Sequence, residues 1–199
     1  MTKVPIGIAG YLHSGKDTLA DCLLRFRPTE FYKYSFAEPM KKLAMDIFGF
    51  TANQMYDPEI KEEMDEFWEI TPRKFLQLLG TDMFRDKFRE DVWLKFAEKR
   101  MWETPDQYMM VPDVRFDNEA KFIRDRGGWV IQIVRDDAGH KESRKHASEN
   151  GVNDDYINYT IHNNGSLESL ERVALQLCHY LTSEDFDPNK KWIPANIKE

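Results

Sequence analysis

The chain is predicted to be an α/β protein whose parallel sheet carries a phosphate-binding turn behind its first strand. Three observations point there. Short apolar runs alternate with segments of helical periodicity, the pattern of strand–helix–strand crossovers. The run Val4-Pro-Ile-Gly-Ile-Ala9 leads into Gly10-Tyr-Leu-His-Ser-Gly15-Lys16-Asp17-Thr18, and a helical pattern (Leu19, Ala20, Leu23, Leu24) follows at once. Strand, glycine-rich turn and helix is the context in which backbone N–H groups and a helix N-terminus form a concave anion site. The third observation is length. A chain of 199 residues suits one α/β domain with a small insertion, and it can bury a substantial core.

Taken in order, strand one is expected over about 3–9 and the first helix over about 16–26. Phe31-Tyr-Lys-Tyr-Ser-Phe36 reads as a short aromatic strand, followed by a helix from about Pro39 to Phe48. Residues 51–70 are polar and acidic, a loop with a short helix. Thr71-Pro72 is an N-cap followed by proline at the first helical position, opening a helix to about Phe88; Asp91 to about Arg100 forms another. Tyr108-Met-Met-Val-Pro112 is a buried strand ending at Asp113, and Asp117 caps a helix to Asp125 that Gly127-Gly128 stops. Trp129–Val134 is the next strand. Residues 135–157, charged and nearly free of apolar side chains, read as a lid. Tyr159-Thr-Ile161 is the last strand, Ser166 opens the last helix, and the tail over 183–199 is polar with one isolated Trp192.

Composition removes several function classes. A net charge of −7 argues against general nucleic-acid binding, which needs a basic face, so an anionic ligand would need a local cluster of Arg and Lys. The two cysteines, Cys22 and Cys178, are far apart and lack metal-ligand spacing. They read as buried or half-buried thiols in a reducing compartment. No apolar run approaches the ~20 residues of a membrane span, and the first strand is too short for a signal peptide. The expectation is a cytoplasmic protein with no nucleic-acid or membrane partner.

Chemistry-bearing residues gather behind strand ends, where ligands of such sheets bind. Lys16 can reach the outer phosphates of a nucleoside triphosphate. Asp17 stands where a Ser or Thr is usual, and Thr18 comes one place later. A carboxylate beside phosphates is repulsive unless a cation lies between them, which leaves the Mg²⁺ ligand open among Thr18, Asp17 and Asp113. Arg115 and Glu119 follow Asp113 closely. Arg73, Gln77, Thr81 and Arg85 are spaced by four, each advancing about 40° around an α-helix. They form a polar stripe beside Gly80 that suits a phosphate and a base edge, or is simply solvated. Phe75, Leu76, Leu79 and Met83 lie on another face and are expected to pack on the core. Trp93 stacks on a base or belongs to the core. Arg135, Arg144 and Lys145 fit charge stabilisation from a flap, or a solvated loop. Asn163-Asn164-Gly165 lies where adenine often sits in such folds, or makes a turn and helix cap.

In combination the chain resembles the deoxynucleoside monophosphate kinases of tailed bacteriophages, from Ile6 to about Leu181. The carriers are Gly10–Thr18, Ser35-Phe-Ala-Glu-Pro-Met-Lys-Lys42, Arg73-x-x-x-Gln77-x-x-Gly80-Thr-Asp82-x-x-Arg85, Asp91-Val-Trp93, Pro112-Asp-Val-Arg-Phe-Asp-Asn-Glu119 and Gly165-Ser-Leu-Glu168. The resemblance implies a P-loop kinase fold with a five-stranded parallel sheet, one domain over 1–182, an acceptor-binding region over about 36–100 and a lid over about 135–157. It implies transfer of the ATP γ-phosphoryl group to a dNMP with Mg²⁺, in the host cytoplasm if the chain is of phage origin, and a possible homodimer. ATP would be held by Gly10, Leu12, His13, Ser14, Gly15, Lys16, Asp17, Thr18 and Asn164. The acceptor would be held by Ser35, Phe36, Lys41, Lys42, Arg73, Gln77, Gly80, Arg85, Trp93, Asp113, Arg115 and Glu119. Lys16, Arg85, Arg115 and Arg135 would be catalytic, and Asp17, Thr18 and Asp113 the metal candidates. Ser35, Phe36, Gln77 and Trp93 would stack a base with few edge hydrogen bonds, implying more than one accepted base. A Gly-Lys-Asp loop is shared with phosphomevalonate kinases, so another phosphorylated acceptor is one alternative, and a non-catalytic nucleotide-binding subunit is another. No Asn-Lys-x-Asp motif occurs, which disfavours a GTPase switch.

Overall fold

The computed structural model describes residues 3–11, 13–136, 151–183, 186–187, 190 and 192. They form two compact units, Met1–Ser35 with Met101–Glu199, and Phe36–Arg100.

In the first unit, β1 (Ile6–Ala9), β2 (Phe31–Lys33), β3 (Tyr108–Val114), β4 (Trp129–Val134) and β5 (Tyr159–His162) form one sheet in the order β2-β3-β1-β4-β5. Every neighbouring pair is parallel. β1 is buried along its whole length, as a central parallel strand covered on both faces must be. Its neighbours β3 and β4 lie on opposite sides, so the turn leaving β1 sits at the topological switch point. Helices α1 (Lys16–Phe26) and α7 (Leu167–Leu181) bring Leu19, Leu23, Leu170, Ala174 and Leu177 into one core with Ile6, Ile8, Ile131 and Ile133. Ser166 caps α7 by accepting from Ser169 N.

The β1–β3 register slips between Gly7↔Val111 and Ala9↔Val114, so Pro112 and Asp113 share the space opposite Ile8. Pro112 has no N–H to give the ladder, which makes this the natural place for the irregularity. Helix α6 (Asp117–Arg124) follows. Asp117 does not cap it, contrary to the sequence expectation. It is the first helical residue, and its carboxylate accepts from Asn153 N at 2.8 Å. Trp192 is not isolated either. It is 7% exposed and its ring lies 4.9 Å from that of Tyr159, while Phe186 meets Trp129 at 5.6 Å. Apolar rings gain more by covering the end of the core than by trailing in water.

The second unit contains α2 (Glu38–Phe48), α3 (Ala52–Tyr56), a 3-10 turn over Ile60–Glu62, α4 (Pro72–Gln77) and most of α5 (Val92–Glu103). Thr51 and Gln54 form a capping box on α3, and Thr71 caps α4 by accepting from Lys74 N. Its core is Ala44, Phe50, Met55, Phe75 and Leu79, with Phe48, Ile70 and Phe84 against it. The helix expected to run as α to about Phe88 changes at Leu78 into a π-helical segment, Leu78–Arg85. Its wider turns hold more residues, so apolar positions set at α spacing slip around the axis. Met83 is consequently 52% exposed, and Phe84 packs in its stead, 5.3 Å from the Trp93 ring.

Candidate active site

The turn after β1 is built from left-handed backbone: φ is +151° at Gly10, +62° at His13 and +105° at Gly15. A Cβ at Gly10 would lie 2.4 Å from the Ile133 carbonyl oxygen, and one at Gly15 would lie 2.5 Å from Asn163 Nδ2. Only glycine meets both demands, conformational and steric, at these positions. Successive amides in such a concave turn, followed directly by a helix N-terminus, make an anion-binding nest. Ser14 is 1% exposed, and its hydroxyl has no hydrogen-bond partner among the described residues. Leu12 lies outside the described residues.

Lys16, the first residue of α1, folds back so that Nζ donates to Tyr11 O at 2.8 Å. Burial pushes its pKa below the ordinary lysine value; Asp113 and Asp17 oppose that shift and Arg115 adds to it. These four charged groups therefore share one neighbourhood. Arg115 Nε donates to Asp113 Oδ1 at 2.8 Å. Glu119 is buried, and its Oε2 accepts from Arg115 N at 2.9 Å and Phe116 N at 3.2 Å. One oxygen of the Glu119 carboxylate thus serves the N-terminus of α6 and fixes the backbone at Arg115.

Asp17 faces a partner that sequence reasoning missed. Lys33, the last residue of β2, sits 3.2 Å from Asp17 Oδ1 and 3.1 Å from Asp21 Oδ1. Burial works against the Lys33 charge, but the hydrogen bond to Asp21 and the charges of both carboxylates outweigh it and push its pKa up. Thr18 is half-buried in the first turn of α1.

The two asparagines after β5 have different partners. Asn164 Oδ1 accepts from Asp136 N and its Nδ2 donates to Asp136 Oδ2, each at 2.9 Å. Its amide is thus engaged by the residue after Arg135 rather than offered to a base. Asn163 is 8% exposed, and its Nδ2 donates to Ser14 O at 2.9 Å. Arg135 is exposed just past β4, and Ser35 is half-buried beyond β2. Arg144 and Lys145 lie outside the described residues, with 137–150 as a whole.

Within the second unit, Arg73 is exposed and paired with Glu62, Gln77 and Thr81 are exposed, and Arg85 is half-buried. Lys42 lies 3.9 Å from Glu38, and Lys41 sits over the Tyr56 ring, 4.5 Å from its centroid. The Tyr56 hydroxyl donates to Glu38; burial and that carboxylate push its pKa up to about 12. Trp93 is 8% exposed and lies near the rings of Phe84 and Phe96, with Nε1 donating to Gly80 O at 3.0 Å. It belongs to the core, so the base-stacking alternative is set aside. Gly80 serves that packing too, since a Cβ there would lie 2.5 Å from Met40 Sδ. Phe36 is likewise buried.

Among the described residues no group of three or more His, Cys, Asp or Glu could hold a metal ion, and no helix is long and apolar enough to cross a membrane. A family model described as deoxynucleotide monophosphate kinase matches residues 46–173. A protein of Acanthamoeba polyphaga mimivirus, named as a candidate deoxynucleotide monophosphate kinase, is 36% identical over 66% of this chain and 74% of its own. The deoxynucleoside-5'-monophosphate kinase of Escherichia phage T5 is 24% identical over 92% of this chain and 97% of its own. The deoxynucleotide monophosphate kinase of Enterobacteria phage T4 is 32% identical over 56% of this chain and 46% of its own. With more than half of its residues inside the family model, and strand, left-handed turn and lysine-led helix in the order a kinase requires, the chain belongs to the deoxynucleotide monophosphate kinase family and is a phosphotransferase.

Proposed function

We propose that the chain transfers the γ-phosphoryl group of ATP, bound with Mg²⁺, to a deoxynucleoside monophosphate, using the turn after β1 as the donor site. The observation that carries this reading is the left-handed turn with Lys16 folded against it, between the two flanking strands of β1. An oxygen of the acceptor phosphate would bond to the γ-phosphorus as the bond to the β-phosphate oxygen breaks, yielding ADP and a deoxynucleoside diphosphate. The acceptor is already an anion near neutral pH, so the protein positions and neutralises charge without needing a general base.

The loop amides of Gly10 to Lys16 and the ammonium of Lys16 would hold the β- and γ-phosphates. A desolvated cation such as Lys16 recovers most when an anion returns to it. Arg115, held by Asp113 and by the backbone that Glu119 fixes, would face the acceptor phosphate; Arg85 and Arg73 are the candidates of the second unit. For Mg²⁺, Asp17 stands beside Lys33 and Asp113 beside Arg115, so Thr18, Asp17 and Asp113 all stay candidates. So sparse a donor set fits an ion held largely by phosphates and water. When bound, the ion neutralises charge across the β- and γ-phosphates. With Phe36 and Trp93 buried, the rings expected to stack the base are lost from the set, and breadth toward bases no longer follows from them.

The test is ADP release with ATP, Mg²⁺ and each of the four dNMPs and four NMPs. At least one dNMP is expected to be a substrate, with deoxyribose preferred. Lys16→Met is expected to lower kcat by about 10²–10³-fold with its unfolding midpoint unchanged. Arg73→Ala, Arg85→Ala and Arg115→Ala are each expected to raise the acceptor KM more than the ATP KM. Near-normal turnover by Lys16→Met would remove the donor assignment, and inactivity on all eight acceptors would redirect the search to another phosphorylated acceptor.

A further inference from the structure

Two asparagines follow β5, and the inner one turns inward. Asn163 N donates to Val134 O at 2.7 Å, continuing the β4–β5 ladder by one rung. This pins its backbone at the carboxyl edge of the sheet. Its side chain then spans to the donor turn, where Nδ2 donates to Ser14 O at 2.9 Å. A carbonyl oxygen can only accept, so the nitrogen end of the amide must face the turn. The same nitrogen fills the space that a side chain at residue 15 would need, 2.5 Å from a Cβ built on Gly15. Amide and glycine are thus complementary. The amide is 8% exposed, so the hydrogen bond is shielded from water, and losing it would leave the Ser14 carbonyl without this partner.

The position of that bond decides what it can do. Ser14 and Gly15 immediately precede Lys16, and Gly15 carries the left-handed backbone that turns the chain into α1. Fixing the Ser14 carbonyl fixes the peptide plane whose N–H belongs to Gly15, and with it the direction in which the last loop amides point. Nest amides bind an anion only when they converge.

We propose that Asn163 is a positioning residue of the donor site: its buried amide locks the crest of the loop so that the amides before Lys16 converge on the phosphates. This rests on the reading of the loop as donor site, and it assigns the work to a residue more than a hundred positions away in the chain that need not touch the nucleotide.

Asn163→Ala and the near-isosteric Asn163→Asp remove the donor; the second keeps the volume but sets a carboxylate against the Ser14 carbonyl. Both are compared with wild type and Lys16→Met for equilibrium binding of ATP with Mg²⁺ by calorimetry, and for KM and kcat toward both substrates. The expected result is at least a tenfold loss of ATP affinity in both Asn163 variants, with the acceptor KM within twofold of wild type and far-UV circular dichroism unchanged. In the Lys16→Met background, Asn163→Ala is expected to lose less, because both act on one phosphate site. Unchanged ATP affinity in folded Asn163 variants, alongside a clear loss in Lys16→Met, would overturn the proposal while the donor assignment stands. Full ATP affinity in Lys16→Met would instead remove the donor assignment itself. Failure of both Asn163 variants to fold would make the amide a purely structural strut, which also overturns the proposal.

Discussion

An aspartate directly after the loop lysine sets an electrostatic problem for a turn proposed to hold a triphosphate, and Lys33 answers it. Its ammonium stands 3.2 Å from Asp17 and 3.1 Å from Asp21. An exposed pair of this kind adds little to stability, typically below about 1 kcal/mol, so its use lies in the local field. With Lys33 removed, the Asp17 charge beside the phosphates is uncompensated. Lys33→Ala is expected to raise the ATP KM roughly five- to tenfold at low salt, a change that shrinks as salt rises. The double variant Lys33→Ala/Asp17→Asn is expected to recover most of that loss. A double variant as weak as the single one would mean that Lys33 acts otherwise than through Asp17. Legibility at this scale was uneven. Lys16, Asp113 and Arg115 were readable because motif spacing places them behind strand ends. Lys33 was not, because a single lysine at the end of a three-residue strand carries no pattern of its own.

Among the elements, the stretch from Thr71 to Trp93 departs most from its sequence reading. The N-cap and proline at its start are local devices and were legible. The change to π-helical geometry at Leu78 was not, because it depends on what packs against the helix. Trp93 Nε1 donates to Gly80 O inside that segment. Trp93→Phe keeps a ring but removes this buried hydrogen bond. It is expected to lower unfolding stability by about 1–2 kcal/mol while the acceptor KM stays within twofold. Chemical denaturation and steady-state kinetics check both halves. A tenfold rise in acceptor KM at unchanged stability would restore the ring to a substrate contact.

For the whole molecule, three cations of the first unit of this acidic chain are held by partners. Lys16 lies against its loop, Arg115 is paired with Asp113, and Lys33 spans two carboxylates. The C-terminal aromatics close the first unit, with Trp192 beside Tyr159 and Phe186 beside Trp129. Trp192→Ala is expected to cost about 3 kcal/mol of stability through the emptied volume, with ATP and acceptor KM unchanged below the unfolding transition. A thermal scan that does not move would return the tail to the solvated role its polarity suggested.

By itself the sequence determined the alternation of strands and helices, the glycine-rich turn after β1 and most helix boundaries, because these follow from hydrophobic period, caps and glycine placement, all of which act over a few residues. The helix over 16–26 and the strand over 129–134 coincide with α1 and β4. Tertiary structure alone decided which asparagine grips the loop, that Glu119 serves the backbone of Arg115 and that Trp93 is core. It also decided that Met83 turns outward and that Trp192 turns inward. Each of these outcomes depends on a partner distant in sequence or on a neighbour's packing. A side chain's role is set by the hydrogen bond or apolar surface it finds after the chain has folded, and local pattern does not encode that.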